Sequence, residues 1–157
     1  WIEAARSILV HQPKAHFVIF GDGPLKKKVE SRISELGLQS KFSLPGNIKN
    51  APPHFALFDA FVLTSRSEAL PNTIVEAQAY GVPVFSFDVG GVAQAIVVGR
   101  SGQVTPPQQV EALATSVVSR MTEQRWVRNA GRLARQNSRG NFGIERMFAD
   151  MRPLLGI

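Results

Sequence analysis

Short apolar runs and longer amphipathic stretches alternate along the chain. HFVIF (16–20), KFSL (41–44), AFVLT (60–64) and VPVFSF (82–87) are rich in β-branched and aromatic residues. Their neighbouring positions are apolar without strict alternation, the pattern of strands covered on both faces. Between them, IEAARSILV (2–10), PLKKKVESRISELG (24–37) and PNTIVEAQAY (71–80) repeat apolar residues at spacings of three and four, which predicts helices. Pro24 is expected at the first position of the second helix and Gly37 as its stop, while Gly81 closes the third. PPHFALF (52–58) reads as a short helix or turn, VAQAIVV (92–98) as a short helix, and GQV (102–104) as a vestigial strand. PQQVEALATSVVSRM (107–121) is a further helix. Two more finish the chain, the second opening near Asn141.

Alternating strands and helices, with strands too apolar to face water, imply a parallel sheet covered on both sides. The expected architecture is a doubly wound α/β domain of Rossmann type spanning residues 1–157. Such sheets begin with a strand that lies at the centre, yet the first element here is a helix starting at Trp1. The central strand is therefore expected upstream of Trp1, and the chain is read as a fragment of a larger protein. No repeat, low-complexity segment or internal linker interrupts it.

Composition adds three constraints. The 44% hydrophobic and 19% charged content is that of an ordinary globular domain. The absence of cysteine excludes disulfides and thiolate metal sites. The formal net charge of +6 points toward anionic partners. Lys26, Lys27 and Lys28 form one basic cluster, and Arg125, Arg128, Arg132, Arg135 and Arg139 form one helical stripe. The stripe admits three readings: a solvated face first, a peripheral contact with an anionic membrane or lipid phosphate second, and nucleic acid last. Without interleaved aromatics, nothing points to nucleic acid.

In an open parallel sheet, ligands bind outside the carboxyl ends of the strands. Four loops are expected there: GDGPLKK (21–27), PGNIKN (45–50), SRSEALPN (65–72) and DVGGVAQ (88–94). Gly21, Gly23, Gly46, Gly90 and Gly91 allow a ligand close to the backbone. The helix starts after Gly23, at Pro71 and after Gly91 offer free N–H groups to phosphate oxygens. Lys26 stands where a G-x-G-x-x-G fingerprint needs its third glycine, which argues against a standard dinucleotide site.

Glu68 lies just before the helix at Pro71, and Glu76 in its second turn, on nearly the same side as Asn72 and Thr73. Two carboxylates that accept hydrogen bonds from hydroxyls thus bracket a phosphate-binding helix end, an arrangement suited to a sugar nucleotide. TSRSEALPNTIVEAQAYGVPV, with GDGPLKKKVE before it and GGVAQAIVVGRSGQVTPP after it, closely resembles the C-terminal domain of family 4 (group 1) glycosyltransferases of the GT-B fold. The resemblance covers roughly residues 1–155, and its specific element is E-x7-E followed by G-x-P-V.

That resemblance implies roles. Glu68 would meet the donor sugar and assist the transition state, and Glu76 would hold the ribose. Backbone amides near Ala69, Leu70 and Asn72 would reach the hexose and diphosphate, with Thr73 beside them. The base would lie against Gly46, Asn47 and Ile48. The donor would be a UDP- or GDP-sugar, with no metal or other cofactor; His11, His16 and His54 are scattered and no D-x-D motif occurs. Transfer would be retaining, in a cytoplasmic protein, with peripheral contact at the inner membrane face as a further option. Ala69 replaces the family's usual glycine after the first glutamate, and Gln94 replaces an acid of its G-G-x-x-E pattern. The family's basic pair for the diphosphate, and its N-terminal acceptor domain, belong to segments outside these residues. The isolated piece is accordingly expected to lack transferase activity. A nucleotide-sugar epimerase and a non-catalytic module of the same fold are the competing readings.

Overall fold

The computed structural model describes residues 1–155. Helix α1 (Ile2–His11) leads into strand β1 (Phe17–Phe20), followed by α2 (Lys26–Glu35) and β2 (Phe42–Gly46). A 3-10 turn at Pro52–Leu57 precedes β3 (Phe61–Leu63), α3 (Asn72–Ala79) and β4 (Val84–Phe87). Short helix α4 (Val92–Ala95), β5 (Gly102–Thr105), α5 (Val110–Thr122), α6 (Gln124–Phe142) and α7 (Ile144–Leu155) complete the order. The α/β alternation is as expected, with differences at element ends. Pro24 lies two residues outside α2, whose cap is Leu25, because Gly23 and Pro24 form a turn closed by Lys26 N–H on the Gly23 carbonyl at 3.0 Å. The segment read as a vestigial strand is a full one, β5, paired with β4 along four residues. Near Asn141 the helix continues: α6 runs to Phe142, and α7 opens at Ile144.

All described strand pairs are parallel, but they form two sheets, β1–β2 and β3–β4–β5. Strand β4 is the centre of the larger sheet. All four of its residues are buried, with Val84, Phe85 and Ser86 at 0% exposure. Gly102 lies opposite Val84, where a Cβ would come 2.3 Å from the Val84 carbonyl; only glycine lets β5 lie so close. By contrast every residue of β1 and β3 is half-buried.

Two apolar clusters follow the two sheets. The larger joins Ile74, Ala77, Val84, Phe85, Val92 and Leu113; the smaller joins Ile2, Ala5, Ile33 and Phe42. Helix α1 bridges them, with Ile8 in the first and Ile2 and Ala5 in the second. Glu3 on α1 accepts a hydrogen bond from Arg32 of α2 at 2.8 Å, which holds its carboxyl below the usual range.

A buried polar network locks α3 to α6. Gln78 Nε2 donates to the Ala95 carbonyl at 2.7 Å, and Asn137 Nδ2 donates to Gln78 Oε1 at 3.0 Å and to the same carbonyl at 2.9 Å. Ser138 Oγ donates to the Val75 carbonyl at 3.1 Å, and an Arg135 guanidinium N–H to the Tyr80 carbonyl at 3.0 Å. The five arginines of the α6 stripe are exposed, while Ala130 and Ala134 on the opposite side are at 0%. Helix α7 leaves Ile144, Met147, Phe148, Met151, Leu154 and Leu155 exposed. No described helix is long and apolar enough to cross a membrane.

Removing Asn137 leaves the Gln78 amide oxygen and the Ala95 carbonyl short of a buried donor. Asn137→Ala is expected to cost about 1–3 kcal/mol with an unchanged denaturant slope. Urea unfolding checks this.

Candidate functional site

Because the strands are parallel within each sheet, the loops after β3, β4 and β5 leave one edge of the larger sheet and those after β1 and β2 one edge of the smaller. The register of β3 on β4 pairs Leu63 with Ser86, so the chains that continue from these strands emerge side by side. They then touch. Gly91 N–H donates to the Glu68 carbonyl at 3.3 Å. A Cβ at Gly90 would sit 1.6 Å from the Glu68 carbonyl oxygen, and one at Gly91 would sit 2.0 Å from that of Ala69. Gly90 also has φ +52°. The glycine pair therefore serves a role the sequence reading missed: the backbone it admits is the protein's own Glu68 loop. Two adjacent glycines after a buried strand were the available signal.

The clamp fixes the approach to α3. Pro71 caps the helix in an extended conformation (φ −74°, ψ 109°) and supplies no side-chain cap bond. Ile74 N–H closes the first turn on the Pro71 carbonyl at 3.0 Å. Among the described residues no protein acceptor meets the N–H groups of Asn72 and Thr73. The first turn carries no acid. An uncapped, uncompensated helix start attracts anions through its free N–H groups and its dipole.

The two acids stand where the sequence placed them, before and inside α3. Neither the Glu68 nor the Glu76 carboxylate makes a hydrogen bond or salt bridge to another described residue. Both are half-buried, while Ala69, Leu70, Asn72 and Thr73 are exposed. The acids do not share one cavity: Glu76 and Thr73 open onto the groove between the two sheets, and Glu68 lies outside its lining. Ala69 keeps a negative φ, so alanine fits there without backbone strain. Gln94 is exposed on α4.

The β1 and β2 loops form a second group. Gly21 N–H donates to the Gly46 carbonyl at 2.8 Å, joining the two loops at their roots. Gly21 (φ +133°) and Gly46 (φ +79°) occupy conformations that favour glycine. Lys26 pairs with Asp22 at 3.0 Å, which raises its pKa. Its ammonium lies 3.8 Å from where a Gly46 Cβ would be. Gly23 faces open space, Asn47 is exposed, and Ile48 is half-buried. His16 Nε2 and Ser43 Oγ share a 2.8 Å hydrogen bond, and His54 packs edge-on against Phe20. Among the described residues no three metal-ligating side chains gather. The arginine stripe is divided: Arg135 meets Tyr80 at the far end of α3, about 12 Å along an eight-residue helix from Asn72, whereas Arg128 lines the groove onto which Glu76 opens.

Gly90→Ala is expected to push the Glu68–Ala69 backbone away and destabilise the fold by about 1–3 kcal/mol. Gly23→Ala, with nothing near its Cβ, should stay within about 0.5 kcal/mol. Thermal unfolding of both variants, with loss of exchange protection at the Gly91 amide in the first, checks the clamp.

Comparison with known proteins gives the same frame a family. The group described as "Glycosyl transferases group 1" matches residues 1–137. The Vi polysaccharide biosynthesis protein VipC/TviE of Salmonella typhi is 36% identical over 109 residues, covering 69% of this chain and 19% of that protein. Alpha-D-kanosaminyltransferase of Streptomyces kanamyceticus is 33% identical, covering 74% of this chain and 31% of its own length. Among solved structures, a mutant of S. aureus TarM in complex with fondaparinux, alpha-GlcNAc-glycerol and UDP aligns over 98% of this chain and 31% of its own. Its TM-score is 0.90 at 22% identity, a likeness of fold. Anabaena HepE in complex with UDP aligns over 96% of this chain and 43% of its own, at TM-score 0.86 and 22% identity. The chain spans between 15% and 36% of the length of the first curated relatives it matches. With a family match across most of its residues, the chain belongs to the group 1 glycosyl transferases.

Proposed function

We propose that the chain is the donor-binding half of a retaining glycosyltransferase that moves a hexose from a UDP- or GDP-sugar to an acceptor hydroxyl. The observation that carries this reading is the uncapped start of α3, set between two carboxylates that have no partner among the described residues. In this reading the free amides of Asn72 and Thr73 take the diphosphate, Glu76 accepts from the ribose hydroxyls, and Glu68 accepts from the sugar. The loops that meet at Gly21 and Gly46, with Asn47 and Ile48, lie against the base. The bond from the sugar's anomeric carbon to the terminal phosphate oxygen breaks, and the acceptor oxygen bonds the same face of that carbon. The acceptor's proton passes to the departing phosphate, so no protein nucleophile is needed. The helix amides stabilise the growing charge on the phosphate because they are already oriented toward it.

The names of the relatives favour bacterial surface polysaccharide or glycolipid synthesis as the setting, in a cytoplasmic protein whose arginine stripe suits peripheral contact with an anionic inner membrane face. The second domain that binds the acceptor is part of the same proposal. It implies that these residues alone bind nucleotide without turning over.

Calorimetric titration with UDP, GDP and UDP-glucose tests the reading. Glu76→Ala is expected to weaken nucleotide binding about tenfold, or about 1.4 kcal/mol. Glu68→Ala should leave UDP binding unchanged and remove only the extra affinity for UDP-glucose over UDP. Nucleotide affinity unaffected by Glu76→Ala would end the ribose assignment.

A further inference from the structure

On four helices of this chain an arginine is neutralised by an acid three or four residues away. Arg6 pairs with Glu3, Arg32 with Glu35, Arg120 with Glu123 and Arg146 with Asp150. Helix α6 departs from this. It carries five arginines and no acid. None of the five makes an ion pair among the described residues. Like charges three or four residues apart on a helix repel, so the arrangement costs stability as long as nothing negative meets it.

Three of the five border one hollow. Arg128, Arg132 and Arg135 line a pocket of about 430 Å³, with Gln136 beside them and Gly81 and Gly131 as its floor. The three stand at i, i+4 and i+7 on one face of the helix, over about 10.5 Å of rise. Among the described residues no acid lines the pocket.

The floor depends on its two glycines. A Cβ at Gly131 would lie 2.6 Å from the Gly81 carbonyl oxygen, and one at Gly81 would lie 2.6 Å from Arg135 Nε. The Arg135 guanidinium therefore rests against the Gly81 backbone while Nη2 donates to the Tyr80 carbonyl at 3.0 Å. Arg132 Nη1 donates to Gln136 Oε1 at 3.2 Å. Both side chains are thus held before any ligand arrives, and both keep N–H groups that meet no acceptor among the described residues. Groups already held lose less freedom when a ligand binds.

A guanidinium presents a fork of N–H donors that matches phosphate oxygens, which the point charge of a lysine does not. Every basic residue of α6 is an arginine. A phosphomonoester carries about −1.5 to −2 charge near pH 7 and three acceptor oxygens, one for each guanidinium. A phosphodiester has fewer free oxygens and less charge. We infer that this pocket binds the terminal phosphate of a phosphomonoester, held by Arg128, Arg132 and Arg135. It lies at the far end of α3 from Asn72, so it fills independently of the candidate donor site. Two sources present that group: a soluble phosphate ester, and a lipid head group at a membrane surface. For the second, Arg125 and Arg139 extend the cationic face beyond the pocket. That source alone rests on the membrane contact in the proposed function, and it gives that contact a defined head group.

The first test titrates the chain with glycerol 3-phosphate, by calorimetry and by amide NMR. Binding should shift the resonances of Gly81, Gly131 and Arg132 and leave Asn72 and Thr73 in place. Dimethyl phosphate, a diester, should bind about tenfold more weakly. Arg128→Gln and Arg132→Gln should each weaken glycerol 3-phosphate about tenfold, as should Arg132→Lys, which keeps the charge and loses the fork. Arg128 has no hydrogen-bond partner among the described residues and Arg132 has only Gln136, so these variants keep the fold. Shifts confined to Asn72 and Thr73 would overturn the inference and leave the donor reading standing. Full affinity in Arg132→Lys would overturn it as well, since charge alone would then suffice. The second test uses phosphatidylcholine vesicles brought to equal surface charge with phosphatidic acid, a monoester, or phosphatidylglycerol, a diester. A preference of about tenfold for phosphatidic acid, lost in Arg132→Gln, supports the pocket with the lipid source. Uptake of glycerol 3-phosphate without either vesicle supports it with the soluble source and removes the membrane contact from the proposed function. Equal binding to both vesicles, or binding of duplex DNA with neither phosphate ester, overturns the pocket in favour of a surface that reads charge alone.

Discussion

The pairing of β3 with β4 is the constraint from which the rest of the site follows. A parallel pair in register delivers two loops to the same edge at neighbouring positions, and they must either diverge or pack. Here they pack backbone to backbone, with Gly90 and Gly91 against the carbonyls of Glu68 and Ala69. A side chain at either glycine would overlap the opposing oxygen, so the sequence cost of this contact falls on these two positions. In return, the loop carrying Glu68 is held by main-chain contact, which does not depend on the rotamer of any long side chain.

Helix α3 needs the same rigidity at its other end. An anion site made from free N–H groups works only if the helix stays put when charge arrives. Its far end is held by Gln78, by Ser138 on the Val75 carbonyl, and by Arg135 on the Tyr80 carbonyl. These polar contacts add to the apolar packing of Ile74 and Ala77, and those of Gln78 and Asn137 converge on the Ala95 carbonyl at the close of α4. Because α4 begins at the glycine pair, one buried network braces both α3 and the element that clamps its entry. Asn137 and Gln78 thus act on the site through position alone, without touching it.

Much of this was legible in the sequence. Consecutive apolar residues marked β1 and β4, Gly81 marked the end of α3, and E-x7-E placed both acids around the helix start. Four features were not legible, each for a physical reason. Gly23–Pro24 reads as a helix opening because proline suits a first turn, but a closed turn there delays α2 to Lys26. Gly90 and Gly91 read as ligand-facing because sequence shows flexibility and not what approaches it. That Glu76 opens onto the groove and Glu68 does not is a matter of how two half-sheets sit around α1, which no local pattern records. Asn137 and Ser138 were hidden by the arginine stripe, whose period draws attention to the exposed side of α6.

The placement of charge makes the last step. Two carboxylates beside a phosphate would repel it, so the acids fit a diphosphate only if hydroxyl groups stand between. From Asn72 to Glu76 is little more than one helical turn, about 5.4 Å of rise. That leaves room for a sugar ring between carboxylate and phosphate and disfavours direct contact. In the proposed function an inorganic diphosphate, lacking those hydroxyls, would meet the helix amides and the repulsion together, whereas a nucleoside diphosphate would meet the amides while its ribose hydroxyls satisfied Glu76. Such a site would discriminate by what links the charges, with Arg128 the one member of the arginine stripe that lines the groove onto which Glu76 opens, while Arg135 sits at the opposite end of α3.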